Sequence, residues 1–120
     1  MKVIYHVDEM ERWPLTLGNV RNMAAYYREH GESFVIEVLA NAAAVKAYCG
    51  GSANAACGTT DLKDDMSGLS EGGIVFTACS NALKANSIKP DQLYSFVKVV
   101  PAGVVELAER QAEGYAYIRP

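Results

Sequence analysis

Five short runs of apolar residues recur along the chain and are separated by longer segments of mixed polarity. They are KVIYHV (2–7), SFVIEVLA (33–40), GGIVFTA (72–78), FVKVV (96–100) and YAYI (115–118). Runs this apolar are typical of strands that are covered on both faces, as in a parallel sheet, so we predict a strand at each. Alternation in the last run places Tyr115 and Tyr117 on one face of an ordered strand, and Ala116 and Ile118 on the other.

The segments between these runs have the residue spacing of helices. From Leu15 to Tyr27 apolar residues recur at helical intervals, and the pair His30-Gly31 that follows is a helix stop. Further helices are predicted over 42–48, 61–70 (capped by Asp61), 81–85 and 104–111. The alternation of strand and helix indicates right-handed βαβ units. We therefore predict an α/β fold: a three-layer α/β/α sandwich around a mostly parallel five-stranded sheet.

Composition and charge narrow the classes of function. We expect the 120 residues to form a single domain (1–120), because the chain is long enough for one such core but not for two. The net charge is -3 and the basic residues are not clustered, which favours neither a nucleic-acid partner nor an anionic membrane surface. With no signal peptide and no apolar stretch near the ~20 residues of a membrane span, a cytoplasmic protein is expected. Cys49, Cys57 and Cys79 are too few for a disulfide framework and are expected to be reduced thiols.

Cys79 lies where the third apolar run gives way to a helix-forming segment. In open α/β sheets ligands bind beyond the carboxyl ends of the strands, and the N–H groups of a starting helix favour an anionic sulfur there. His6 lies at the end of the first run; if strands one and three are neighbours, their ends are about 5 Å apart and His6 could approach Cys79. One interpretation is that Cys79 is a reactive thiol that His6 could assist. The alternatives are a cysteine buried as packing material and a histidine that caps its own strand.

The spacing of residues around Cys79 excludes several cysteine chemistries. A phosphatase loop needs an arginine six residues after its cysteine, where this chain has Ala85, and no two cysteines have the thioredoxin-like separation of two residues. Three scattered cysteines and two distant histidines do not form a zinc site, so no metal is expected. TACSN lacks the glycines of a nucleophile elbow, and HVDEMERWPL is not a glycine-rich dinucleotide loop.

Four asparagines are candidate substrate-binding residues near the same edge of the predicted sheet. Asn19 and Asn22 lie one turn apart on the first helix, where asparagine is mildly unfavourable. Asn41 follows the second strand, and Asn81 comes two residues after Cys79. An amide side chain both donates and accepts hydrogen bonds, so this group could orient a small polar substrate or a persulfide. For Asn41 and Asn81 the alternative, and the commoner use, is helix capping.

Five stretches of the sequence resemble the DsrE/DsrF-like family of sulfur-relay proteins, in particular its small single-domain branch. They are HVDE (6–9), LGNVRN (17–22), FTACSNAL (76–83), VVPAGVVEL (99–107) and RQAEGYAYIRP (110–120). The resemblance implies an α/β/α sandwich that assembles as a homo-oligomer, usually a trimer or a hexamer. It also implies that the cysteine matched by Cys79 carries a persulfide, as in the sulfur-transfer members. The chain departs from those members after Cys79, where SNALKA lacks the arginines often seen there.

The residues and the resemblance together predict a sulfur carrier or sulfurtransferase-like protein. Cys79 would accept sulfane sulfur as a persulfide from a donor and pass it to a partner thiol, while His6 moves a proton or orients the sulfur. That exchange needs no cofactor. The alternative is a non-catalytic oligomeric protein that binds a small ligand in the same pocket or presents a regulatory surface. Cys49 and Cys57 are interpreted as incidental.

Overall fold

The computed structural model describes residues 1–50 and 62–120, whose strands form one sheet. The strands are β1 (Lys2–Val7), β2 (Val35–Ala40), β3 (Val75–Cys79), β4 (Val97–Val100) and β5 (Ala116–Ile118). Their spatial order is β4-β3-β2-β1-β5, and every neighbouring pair is parallel. Each strand falls within its predicted run, except that β3 continues to Cys79. The predicted α/β fold is confirmed.

Within the described ranges, four α-helices connect or follow the strands: α1 (Trp13–Glu29), α2 (Leu62–Glu71), α3 (Ser80–Ala85) and α4 (Gly103–Ala112). Short 3-10 helices span Met10–Arg12, Ala42–Tyr48 and Pro90–Gln92. After α1 the chain reverses at Gly31, whose φ of 64° is left-handed and suits glycine. Asp61, the predicted cap of α2, lies outside the described residues. Over 1–50 and 62–120, no helix is long and apolar enough to cross a membrane.

The helices cover the two faces of the sheet unequally. One face packs against α1, α2, α3 and the 3-10 helix Ala42–Tyr48. The core on this face includes the fully buried Trp13, whose Nε1–H donates to the carbonyl oxygen of Ala44 at 3.0 Å. On the opposite face, Ile4 and Leu39 pack against Leu107 of α4. Among the described helices α4 alone covers this second face, so its position decides what is buried there.

A buried ionic cluster ties α4 to the sheet. Arg110 Nε lies 3.2 Å from Glu37 Oε1 on β2 and 3.0 Å from Glu106 Oε2 on its own helix. Thr77 of β3 donates its hydroxyl hydrogen to Glu37 Oε2 at 2.9 Å. Burial, together with the neighbouring carboxyl group of Glu106, raises the pKa of Glu37 to about 7. One guanidinium therefore faces three carboxyl groups, since its Nη1 also lies 3.0 Å from Glu113 Oε1, and a proton on Glu37 relieves the repulsion between Glu37 and Glu106.

The strand order corrects one premise of the sequence analysis. Strands one and three are not neighbours, because successive crossovers place β1, β2 and β3 side by side with β2 in the middle. The ends of β1 and β3 are thus two strand spacings apart, about 10 Å instead of about 5 Å. A link between His6 and Cys79 must pass across the end of β2.

Candidate functional site

Cys79 ends β3, and its side chain is buried beneath the start of α4. Only 6% of the residue is exposed, and its Sγ accepts a hydrogen bond from the backbone N–H of Gly103 at 3.2 Å. Gly103 is the first residue of α4, so the sulfur lies at the N-terminus of a 10-residue helix. The 6-residue helix α3 also begins beside Cys79 but receives no capping hydrogen bond from its side chain. The amide that contacts the sulfur therefore comes from α4, whereas the sequence analysis expected it from α3.

Gly103 allows α4 to approach the ends of β2 and β3 closely. A Cβ built on Gly103 would lie 3.3 Å from the Cβ of Cys79, 3.3 Å from the Cβ of Asn41 and 3.4 Å from Asn41 Nδ2. Carbon atoms in contact are normally about 3.5–4.0 Å apart. A side chain at this position would push α4 away from the strands, so the absence of one keeps the amide within reach of the sulfur.

Asn41 directly follows β2 and occupies the space between the ends of β1 and β3. Its Oδ1 lies 3.1 Å from His6 Nε2, while its Nδ2 is on the side of Gly103. The side chain does not cap the 3-10 helix that begins at Ala42, so the capping interpretation of Asn41 is wrong. Ala42 has a left-handed φ of 50°, which costs a non-glycine residue on the order of 1 kcal/mol. This strained turn takes the backbone to the other face of the sheet and leaves Asn41 facing α4.

Both ring nitrogens of His6 are engaged by side chains other than Cys79. Nε2 contacts Asn41, and Nδ1 lies 2.7 Å from the hydroxyl oxygen of Tyr117 on β5. The rings of His6 and Tyr117 are also in tilted contact, with centroids 5.8 Å apart. His6 thus reaches the surroundings of Cys79 through Asn41. We call His6, Asn41, Cys79, Gly103 and Tyr117 the Cys79 cluster.

The position of Tyr117 is fixed by the pairing of β5 with β1. Tyr117 pairs with Ile4 in the parallel register, so both side chains are on the α4 face. Arg119, just beyond β5, forms an ion pair with Asp8, just beyond β1, at 2.8 Å. Tyr115 packs on the same face, next to the apolar group under α4. The tail is ordered with both tyrosines on one face, as predicted.

The structure does not bring the remaining candidate residues into the Cys79 cluster. Asn19 and Asn22 lie on α1, which packs against the opposite face of the sheet. Asn81 is exposed in the first turn of α3. Cys49 is fully buried on the α1 side, and Cys57 lies outside the described residues. Within the two described ranges, no group of three or more His, Cys, Asp or Glu side chains could hold a metal ion.

Sequence reasoning missed Gly103 and Tyr117. The sequence signal for Gly103 was a glycine immediately before a predicted helix, three residues after the fourth strand and at the edge where ligands bind. The signal for Tyr117 was its place on one face of the last strand. The sequence did not predict which strand would lie beside that last strand. Gly103 belongs to the Cys79 cluster through its backbone amide, and Tyr117 through the contact of its hydroxyl group with His6.

Comparisons with known proteins agree with the fold of the chain. The model of the DsrE/DsrF-like family matches residues 19–120. The structure is similar to that of MTH1491, a protein of unknown function from Methanobacterium thermoautotrophicum, with a TM-score of 0.84, 37% identity and coverage of 99% of this chain and 98% of that one. It also shares its fold with YchN from E. coli (TM-score 0.70, 12% identity, coverage of 100% and 99%). No curated protein matches the chain significantly. With most of its length matched by the family model, the chain belongs to the DsrE/DsrF-like family.

Proposed function

We propose that this protein is a sulfur carrier in which Cys79 holds sulfane sulfur as a persulfide. The observation that carries the proposal is the hydrogen bond from Gly103 N–H to Cys79 Sγ, 3.2 Å long. A backbone donor at a helix N-terminus stabilises a sulfur anion, and the anion is the form of cysteine that attacks another sulfur. Family membership supports the proposal, because the DsrE-like family is associated with sulfur relay.

The proposed exchange balances without a metal or an added oxidant. The Cys79 thiolate attacks the outer sulfur of a donor persulfide, a new S–S bond forms, and the donor leaves as a thiolate with the electron pair of the broken bond. In the second step an acceptor thiolate attacks the same outer sulfur, and Cys79 leaves as a thiolate. Cys79 is the nucleophile of the first step and the leaving group of the second. The Gly103 amide faces its sulfur in both steps. We propose the cytoplasm as the location, because a reducing compartment keeps the thiol available.

Loading with inorganic polysulfide should add sulfur to Cys79. We expect the intact mass of the wild-type protein to increase by one sulfur atom, and the increase to be reversed by dithiothreitol. The Cys79→Ser variant should show no increase, since the serine hydroxyl is not a nucleophile toward sulfur. The matched control is Cys49→Ser, which removes a buried thiol outside the Cys79 cluster and should load as the wild type does. A full increase in mass in Cys79→Ser would contradict the proposal.

A non-catalytic ligand-binding role is the second candidate function. An open crevice of about 490 Å³ favours it, located just beyond the ends of β1 and β2. The crevice is lined by Asp8, Glu9, Met10, Glu11, Ala43 and Lys46. None of these residues belongs to the Cys79 cluster, so the crevice is not the pocket that the sequence analysis expected for a ligand. A wild-type protein that retains no sulfur on Cys79 would favour this second candidate.

We further propose that the protein is a homo-oligomer, a trimer or a hexamer. Members of the family are typically oligomeric, and the outer face of α4 exposes Val104 (70%) and Val105 (50%). Sedimentation should therefore give a multiple of 13.0 kDa at micromolar concentration. Replacing both valines with lysine should shift the protein towards monomer, whereas Leu15→Lys on exposed α1 should not. A wild-type monomer would contradict the proposal.

A further inference from the structure

A continuous series of hydrogen bonds runs from the last strand towards the sulfur. Tyr117 Oη lies 2.7 Å from His6 Nδ1, and His6 Nε2 lies 3.1 Å from Asn41 Oδ1. The three side chains come from β5, from β1 and from the residue after β2, so the series follows the carboxyl edge of the sheet. It ends at Asn41, which neighbours Gly103 and Cys79.

The donor and acceptor of each bond in this series follow from the chemistry of its atoms. An amide oxygen only accepts hydrogen bonds, so His6 Nε2 must carry the hydrogen that it shares with Asn41 Oδ1. In a neutral imidazole the other nitrogen is then an acceptor, so the Tyr117 hydroxyl donates to Nδ1. Tyr117 thus favours the tautomer of His6 that donates to Asn41.

The same bonds decide which end of the Asn41 amide faces the sulfur. Because Oδ1 is directed to His6, Nδ2 is directed to the side of Gly103, 3.4 Å from the place where a Cβ would stand on that glycine. This Nδ2 makes no hydrogen bond to any side chain or backbone group of residues 1–50 and 62–120, so its hydrogens are available to a ligand atom. The outer sulfur of a persulfide on Cys79 is such an atom, since it is an anion that accepts hydrogen bonds.

We propose that Tyr117 is a positioning residue of the sulfur site: its hydroxyl fixes the tautomer of His6, and His6 in turn directs the Asn41 N–H₂ group to the outer sulfur of the Cys79 persulfide. The inference rests on the proposed function, because it assigns Asn41 a role towards the persulfide. In this arrangement His6 orients the Asn41 side chain. His6 does not accept a proton from Cys79, because both of its ring nitrogens already have partners. The ion pair between Arg119 and Asp8 holds β5 in the register that this arrangement requires.

The first test is the tautomer of His6 in the wild-type protein. Nitrogen-15 NMR of histidine-labelled protein in mildly alkaline buffer should show His6 protonated on Nε2, with the signals assigned by their loss in His6→Gln and distinguished from those of His30. Tyr117→Phe should shift the Nδ1 resonance, because that nitrogen loses its donor. The matched control, Tyr26→Phe, removes a hydroxyl from the exposed part of α1 and should leave the resonance unchanged. A wild-type His6 protonated on Nδ1 would overturn the inference, since the Asn41 oxygen would then face the sulfur.

The second test is the occupancy of the persulfide at a fixed concentration of polysulfide. Tyr117→Phe should lower the equilibrium constant for loading about fivefold, as expected when one hydrogen bond to an anion is weakened without being removed. Tyr26→Phe should load as the wild type does, and thermal unfolding should confirm that both variants are folded. Equal loading of Tyr117→Phe and wild type would overturn the positioning role alone. A wild-type protein that does not load would overturn the proposed function and this role with it, whatever the tautomer.

Discussion

Replacing Gly103 with valine should reduce the reactivity of Cys79 by between about tenfold and 100-fold. The valine Cβ would stand 3.3 Å from the Cβ atoms of Cys79 and Asn41, and its two methyl groups would need still more room. The start of α4 must then move outward, which breaks the hydrogen bond from the Gly103 amide to Sγ. A hydrogen bond to a charged group contributes about 1.5–3 kcal/mol, which corresponds to that range of rates.

Two measurements are needed for the Gly103→Val prediction, because a displaced helix also exposes the sulfur. The ultraviolet absorbance of the thiolate at neutral pH, relative to Cys79→Ser, reports how much anion is present irrespective of access. The rate of reaction with iodoacetamide reports anion and access together. Gly18→Val, which adds the same side chain on α1 where a Cβ would meet no atom within 4 Å, is the matched control and should behave as the wild type does in both. An unchanged thiolate absorbance in Gly103→Val would show that the α4 amide does not stabilise the anion.

The wild-type protein should lose stability as the pH rises from about 4.5 to about 7, and the Glu37→Gln variant should not show this loss. Burial raises the pKa of Glu37 from 4.5 to about 7, so the folded protein favours its protonated form. The corresponding stabilisation is present below pH 4.5 and is lost as the pH rises through 7. Because the Glu37 side chain is only 5% exposed, the difference can reach about 3 kcal/mol in the free energy of unfolding.

The Glu37 prediction is tested by urea unfolding from pH 4 to pH 8 at one protein concentration. Relative to the wild type, Glu37→Gln should become more stable as the pH rises and should reach a plateau above the Glu37 pKa. Absolute stability at one pH is not the test, because glutamine also loses the ion pair with Arg110. Glu29→Gln, at the exposed end of α1 and away from the proposed interface, should run parallel to the wild type. Parallel pH curves for Glu37→Gln and wild type would show that this carboxyl group ionises normally in the folded protein.

Local patterns were sufficient to predict the elements of the fold. The β1 run KVIYHV coincides with the strand Lys2–Val7, and the other strands differ from their predictions by a few residues at the ends. The segment 42–48 is helical but takes the 3-10 form after the left-handed turn at Ala42. Strand order was not predictable in the same way, because it depends on which edge each crossover joins and not on the residues of any one strand.

From the sequence, the residues of the candidate site were predictable only where the side chain itself suggests a chemical role. Cys79, His6 and Asn41 were found from their positions after strands, and the structure brings all three to one edge. The function of each remains a proposal. Gly103 contributes a backbone amide, and any residue has one, so only the packing of α4 shows why a glycine is needed. Tyr117 could not be found because its contact with His6 joins two residues 111 positions apart in the chain.

The pairing of β1 with β5 has a consequence for protein synthesis. His6 is synthesised 111 residues before Tyr117, which can reach it only after the residues of β5 have left the ribosome. Contacts this distant in sequence also form late, because the loop between them must close before they gain any stability. Until then His6 lacks its contact with Tyr117. The arrangement therefore delays the completion of the Cys79 cluster in a nascent chain until the whole sheet has formed.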